Sequence, residues 1–139
     1  MKHLKAYSSQ PTVRWTRIEM LVAAFDGVIS ILEQVQGPLA ENEFLKQRQL
    51  LTAQQLILAL YEGIDVRYGA VPENMQKLYL FVLSCIGMGP KLDLPAAMKI
   101  MRTIRSGLET IRDEANEMER RGDLIPAAQE SQVLRHLIA

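Results

Sequence analysis

Apolar residues recur at steps of three and four through most of this chain, the spacing that gathers them on one side of an α-helix. From Ile18 the series runs Leu21, Phe25, Val28, Leu32 and Val35 and predicts a first helix over about Thr16 to Gln36. Thr16 and Glu19 have the spacing of a capping box. In that motif the hydroxyl accepts the amide three residues on, and the carboxylate accepts the amide of the capping residue. Gly37-Pro38 stops the helix. A second series, Leu50, Ala53, Ile57, Leu60, Ile64 and Tyr68, predicts a helix from about Asn42 to Tyr68, ended by Gly69. Pro72 stands where a third helix begins, running to about Ile86 with Met75, Leu78, Val82 and Cys85 or Ile86 on one side. The run from Leu78 to Leu83 is apolar all round, which also suits a buried strand. Helical flanks and the lack of a second strand to pair with it favour a helix.

Gly87-Met88-Gly89-Pro90 breaks the chain again. Asp93 then lies where a negative charge favours the positive end of a fourth helix, and Pro95 suits its first helical position. This helix has the cleanest pattern: Ala97, Met101, Ile104, Leu108, Ile111, Ala115 and Met118 alternate steps of four and three, an a/d heptad seam. Gly122 and Pro126 end it. Residues 1–15 read as an extended leader with Pro11 inside it. In the tail, Val133, Leu134, Leu137 and Ile138 fall on one side of a short fifth helix, if 129–139 forms one. Four amphipathic helices with short connections imply an all-α, antiparallel up-down four-helix bundle over 16–121, within a single domain of 1–139.

Composition supports a self-sufficient core. Of 139 residues 48% are apolar, enough to fold without a metal or disulfide. Lys and Arg number 16, Asp and Glu 16, so the net charge is zero and a broad nucleic-acid surface is not expected. Cys85 is the single cysteine, which points to a reducing compartment, the cytoplasm. The first residues lack the apolar run of a signal peptide, and no apolar stretch is long enough to span a bilayer.

The usual catalytic constellations are missing from the sequence. A di-iron bundle needs inward glutamates and Glu-x-x-His pairs, but the two histidines, His3 and His136, stand near the two ends outside such motifs. They do not assemble with Cys85 into a nucleophile–base set. The Gly87-Met88-Gly89-Pro90 segment lacks the lysine and threonine of a phosphate loop. Arg102, Arg105 and Arg112 are interleaved with acids and read as a solvated face. No enzyme, cofactor or metal is expected.

The inward stripes leave apolar residues over. Met20, Ala24, Gly27 and Ile31 form a second flank on helix one, Leu51 and Leu58 lie two turns apart on helix two, and Tyr79 and Phe81 remain on helix three. Either these line exposed grooves for a partner helix, or bundle curvature, leader and tail cover them.

The same residues resemble the flagellin export chaperone family, FliS. Ala6-Tyr7, then Thr16 and Glu19, then Phe25-Asp26-Gly27 follow that family's order and gaps. Lys46, Leu50-Leu51 and Ala53-Gln54 fit its second-helix pattern, Leu78-Tyr79 its third, and Arg112-Asp113 its fourth. The chain departs from the pattern at Arg17, at Ser84-Cys85-Ile86 and at Ala115.

The resemblance implies a cytosolic chaperone. It would bind the disordered C-terminal segment of flagellin, prevent premature polymerisation and hand the subunit to the flagellar type III export apparatus. It would act as a monomer or weak dimer, without nucleotide, metal or nucleic acid. Tyr7 resembles the family's leader tyrosine, which folds back over the bundle and contributes to cargo control. Leu51, Leu58, Tyr61 and Tyr79 are the candidate groove residues. The apolar tail is expected either to pack on the bundle or to occupy the groove when cargo is absent. The competing readings are a chaperone for another exported flagellar subunit and a structural bundle that self-associates through the heptad seam of helix four.

Overall fold

The structure, a computed structural model, describes residues 16–64, 70–87 and 92–122. They form four helices: α1 (Arg17–Gln36), α2 (Glu43–Glu62), α3 (Ala70–Gly87) and α4 (Leu94–Arg120). Three of the four N-termini carry a side-chain cap that satisfies an amide the helix leaves open. At α1 the capping box is complete: the Glu19 amide donates to Thr16 Oγ1 and the Thr16 amide to the Glu19 carboxylate, both at 3.4 Å. Asn42 accepts from the Leu45 amide at 3.1 Å, and Asp93 from the Ala96 amide at 3.1 Å, with Pro95 in the first turn of α4. Beyond α4, Gly122 takes a left-handed backbone (φ 76°), a conformation that costs glycine nothing.

The helix boundaries depart from the apolar spacing at two places. α2 ends at Glu62 with Gly63 as its cap, short of the predicted Tyr68, which lies outside the described residues. α3 starts at Ala70, so Pro72 sits inside the first turn, where its missing N–H would have no helical partner. The expected leader and fifth helix also lie outside the described residues.

α1 packs on α2 and α4, and α3 packs on the same two helices, closing a ring. Contacts between α1 and α4 pair rising with falling numbers: Thr16 with Asn116, Asp26 with Arg105, Glu33 with Arg102. These helices are therefore antiparallel, and the architecture is the up-down four-helix bundle. The core comes from all four: Phe25, Val28 and Leu32 of α1, Leu50 and Ile57 of α2, Met75, Val82 and Ile86 of α3, and Met101 and Leu108 of α4 are almost fully buried. The seam of α4 is spent on this core. Ala97, Met101, Ile104, Leu108, Ile111 and Ala115 are all buried, so the seam is closed to a second copy.

Gly27 marks the close approach of α1 to α2. A Cβ added there would lie 3.4 Å from Leu56 Cδ1, in ordinary van der Waals contact. Ile31, a turn along on the same flank, is buried, so much of the second apolar side of α1 is covered.

Asn116 is the buried polar side chain among the described residues, and it accepts a hydrogen bond from the Thr16 hydroxyl. Thr16 thus caps α1 and satisfies α4 with one oxygen, accepting from the Glu19 amide while donating to Asn116. Thr16→Val removes both bonds and should lower stability by about 2 kcal/mol. Thr16→Ser should stay within about 0.5 kcal/mol of the parent. Denaturant midpoints at unchanged slope would check this; a Thr16→Val variant as stable as the parent would remove the role given to this hydroxyl.

Candidate partner-binding surface

α2 carries two apolar stripes where the bundle has room for one. Leu50, Ala53 and Ile57 face inward and are buried. Phe44, Leu51 and Leu58, spaced by seven residues, form a second line two turns apart per step. Their exposures are 68%, 54% and 44%. Exposed apolar residues scattered singly are ordinary, but a line of them on one helix face is not.

The register of α3 places one more leucine beside this line. Gln76 Nε2 of α3 donates to the Tyr61 carbonyl of α2 at 3.5 Å. Nearer the other end, the Gln54 side chain lies across Gly87, in space that a Cβ would need. The two helices therefore run antiparallel, with 61 near 76 and 54 near 87. One turn in from the first contact, Leu58 and Leu80 fall level, and Leu80 is half exposed. Tyr61 and Leu83 are partly buried against the core on the same flank. Leu51, Leu58 and Leu80 thus stand along the outer groove between α2 and α3. Phe81 projects about a quarter-turn away from Leu80 and is also half exposed.

The residues expected to meet cargo divide on this geometry. Leu51 and Leu58 lie exposed on the groove, and Tyr61 lies half-buried at its end. Tyr79 does not belong to it, a correction to the expected set. It is 3% exposed, and its ring centroid is 6.2 Å from that of Phe25, tilted by 46°. The reason is rotational. Tyr79 is four residues after Met75 and three before Val82, so it shares their inward face, and Leu78 moves to the partly buried margin. Tyr7 lies outside the described residues. Phe44 and Leu80 were missed as groove residues. The seven-residue step back from Leu51 would have found Phe44, whereas Leu80 needed the α2–α3 register.

The side of the bundle where α1 meets α4 carries ion pairs instead. Arg105 pairs with Asp26 at 2.9 Å and Glu109 at 3.2 Å, Arg102 with Glu33 at 3.0 Å, and Arg112 with Glu109 at 3.4 Å. Arg102 and Arg105 therefore tie α4 to α1, while Arg112 pairs within α4, and each exposed pair is worth little by itself. An open depression of about 600 Å³ beside this face is lined by Gln36, Pro95, Met98, Lys99 and Thr103 together with the Arg102–Glu33 pair. Burial pushes the Cys85 thiol up; the Asp93 charge adds to this and a Ser84 hydrogen bond opposes it, which makes for an unreactive sulfur. Among the described residues no group of three or more His, Cys, Asp or Glu is placed to hold a metal ion, and no helix is long and apolar enough to cross a membrane. Comparison with protein-family models, curated proteins and solved structures gives no match to this chain.

Two outcomes follow from the two faces. Leu58→Ser should change stability by less than about 0.5 kcal/mol, whereas Ile57→Ala, one residue away, should cost about 2–4 kcal/mol. Similar losses at both positions, measured by denaturant unfolding, would mean that Leu58 is covered. The second concerns pH. Burial raises the Tyr79 phenol well above its ordinary value of 10.0. The unfolded chain releases that proton first, so this group leaves stability unaffected below pH 10 and lowers it as pH rises further. Tyr79→Phe should flatten that alkaline decline, and an unchanged slope above pH 10 would show that the ring ionises as freely folded as unfolded.

Proposed function

We propose that this protein is a cytosolic export chaperone that binds the disordered C-terminal segment of flagellin, prevents its premature polymerisation and assists its delivery to the flagellar type III export apparatus. The observation that carries the reading is the apolar groove along α2 and α3, with Leu51 and Leu58 on one wall and Leu80 on the other. An amphipathic segment with anchors at steps of three, four and seven has the periodicity to fill such a groove. A disordered client supplies that segment and loses entropy as it orders, so the contact stays releasable. The Ala6-Tyr7, Thr16, Glu19 and Phe25-Asp26-Gly27 pattern supports flagellin as the client. Capping box and core account for Thr16, Glu19 and Phe25 structurally, so what these three support is a shared bundle first and a shared client second. The activity asks for no catalytic group, nucleotide or metal.

The same exposed line admits a second reading. Phe44, Leu51 and Leu58 at heptad spacing also suit pairing with another copy, which would make the protein a self-associating structural bundle. Sedimentation separates the two, since an obligate dimer would have this line sealed.

A synthetic peptide of the flagellin C-terminal segment should bind with a negative heat-capacity change and raise the melting temperature. Burying a leucine is worth about 1.5–3 kcal/mol, so the double variant Leu51→Asp, Leu58→Asp should weaken binding by about 100-fold or more. The fold should survive, because both side chains stand outside the core. Calorimetry with no heat and no thermal shift for the parent chain would overturn the proposal.

A further inference from the structure

We infer that the client segment lies in the α2–α3 groove as a helix antiparallel to α2, with a basic residue in its first turn over Glu62 and an acidic residue in its last turn beside Arg48. This rests on the groove being the client site, as proposed above, and adds the direction and charge pattern of the segment it accepts.

The apolar line of α2 carries a charge of opposite sign near each end. Arg48 follows Phe44 by one turn and Glu62 follows Leu58 by one turn. The outer side of the helix thus reads Phe44, Arg48, Leu51, Gln55, Leu58 and Glu62, at alternating steps of four and three. Both charged side chains are exposed, and the Arg48 guanidinium stands over the Phe44 ring, 5.8 Å from its centroid. The two charges stand fourteen residues apart, about 21 Å along the axis.

Neither charge is matched on its own helix. The residues three and four positions from Arg48 are Phe44, Leu45, Leu51 and Thr52, and those before Glu62 are Leu58 and Ala59. Nor do the neighbouring helices match them: the ion pairs among the described residues join α4 to α1 or lie within α3 and around α4, and none includes a residue of α2.

Glu62 is also placed against its own helix. It stands in the last turn, where the macrodipole is negative and a cation is favoured, and α2 has no basic residue there. The N-terminus of α3 lies alongside, but Glu73 already occupies its first turn and is paired with Lys77 at 3.8 Å. At the other end Glu43 sits in the first turn of α2 and accepts from the Gln47 amide at 2.9 Å. Arg48 is then left over, and the half-buried Lys46 adds to its sign.

These charges choose a direction. A helix carries about half a positive charge at its N-terminus and half a negative one at its C-terminus. Laid antiparallel to α2, a client helix sets its positive end on Glu62 and its negative end beside Arg48; laid parallel, each end meets its own sign. A basic side chain at the start and an acidic one at the finish extend the same match. Between them, apolar anchors at steps of three, four and seven meet Leu51, Leu58 and Leu80.

Two synthetic peptides of about 18 residues, with leucines at those steps, test this on the full chain. One has Lys in its first turn and Glu in its last, and the other has the two exchanged. The Lys-first peptide should bind about tenfold more tightly at low salt, and the gap should close in about 1 M salt. In a chain carrying Arg48→Glu and Glu62→Lys the preference should reverse, with the helical circular dichroism unchanged. A nitroxide at Gln47→Cys, with the buried Cys85 changed to alanine, should broaden the last-turn methyls of the bound Lys-first peptide and spare those of its first turn. Equal affinities, a preference that the reversed chain leaves unmoved, broadening of the first turn instead, or binding of neither peptide would each overturn the proposal. The client is tested apart from this: Lys-first binding as described, together with no binding of the flagellin peptide, would uphold the direction and charge pattern and reject flagellin.

Discussion

A ring of four helices has one interior, and each helix can turn only part of its circumference into it. Most of this molecule respects that limit. α4 gives its seam to the core and its other sides to charge, and α1 covers part of its surplus by letting Gly27 meet Leu56. α2 does not fit within it. Its inward residues include a buried alanine, Ala53, and its outward line carries a phenylalanine and two leucines. Those side chains contribute nothing to the bundle's own packing and would be better served, for solubility, by polar residues. The groove is thus a consequence of how apolar residues are distributed around α2.

The polar contacts fix where that groove falls. Along α1 and α4 the pairs Asp26–Arg105 and Glu33–Arg102 stay at the surface and add little energy, but they agree in register with the buried Thr16–Asn116 bond. A shift of α4 by one turn against α1 would break all three and leave Asn116 buried without its donor. Unpaired burial is the expensive part, of order 1–3 kcal/mol. Across the bundle, Gln54 over Gly87 and Gln76 on the Tyr61 carbonyl set α2 against α3 in the same way. The rigid side and the groove side are therefore held by the same kind of device: a few hydrogen bonds choosing among registers that apolar packing alone would leave close in energy.

Much of the fold was legible before any coordinates, and the reasons are local. Capping residues act over three positions, so the Thr16–Glu19 box could be read directly and holds as drawn, while Asp93, read as a charge near the positive helix end, also proves to be the N-cap of α4. The α4 seam was long enough for its phase to be unambiguous. α3 was harder because Leu78 to Leu83 is apolar on every side, and a sequence with no polar face carries no phase. The wrong phase put Tyr79 outside, where the bundle has it against Phe25. α2 was overextended for a related reason: Ile64 and Tyr68 continue the apolar step, but Gly63 ends the helix first. In the groove, Leu51 and Leu58 were readable as surplus on one helix. Leu80 was not, because it joins them only through contacts between α2 and α3 that no spacing rule contains.

The shape of the groove argues for a weak, exchangeable contact. Three leucines and the margins of Tyr61 and Leu83 amount to a few kcal/mol of apolar burial, against which any segment that orders on binding must set about 1–2 kcal/mol per residue of backbone entropy. A permanent partner would call for a larger or better enclosed surface. Under the proposed function, a disordered client that must be released again calls for a contact near balance. A segment held at that strength can be exchanged by small changes in local concentration, because it does not have to be pulled from a deep well. On this view the exposed leucines of α2 are kept few for the same reason that they are kept exposed.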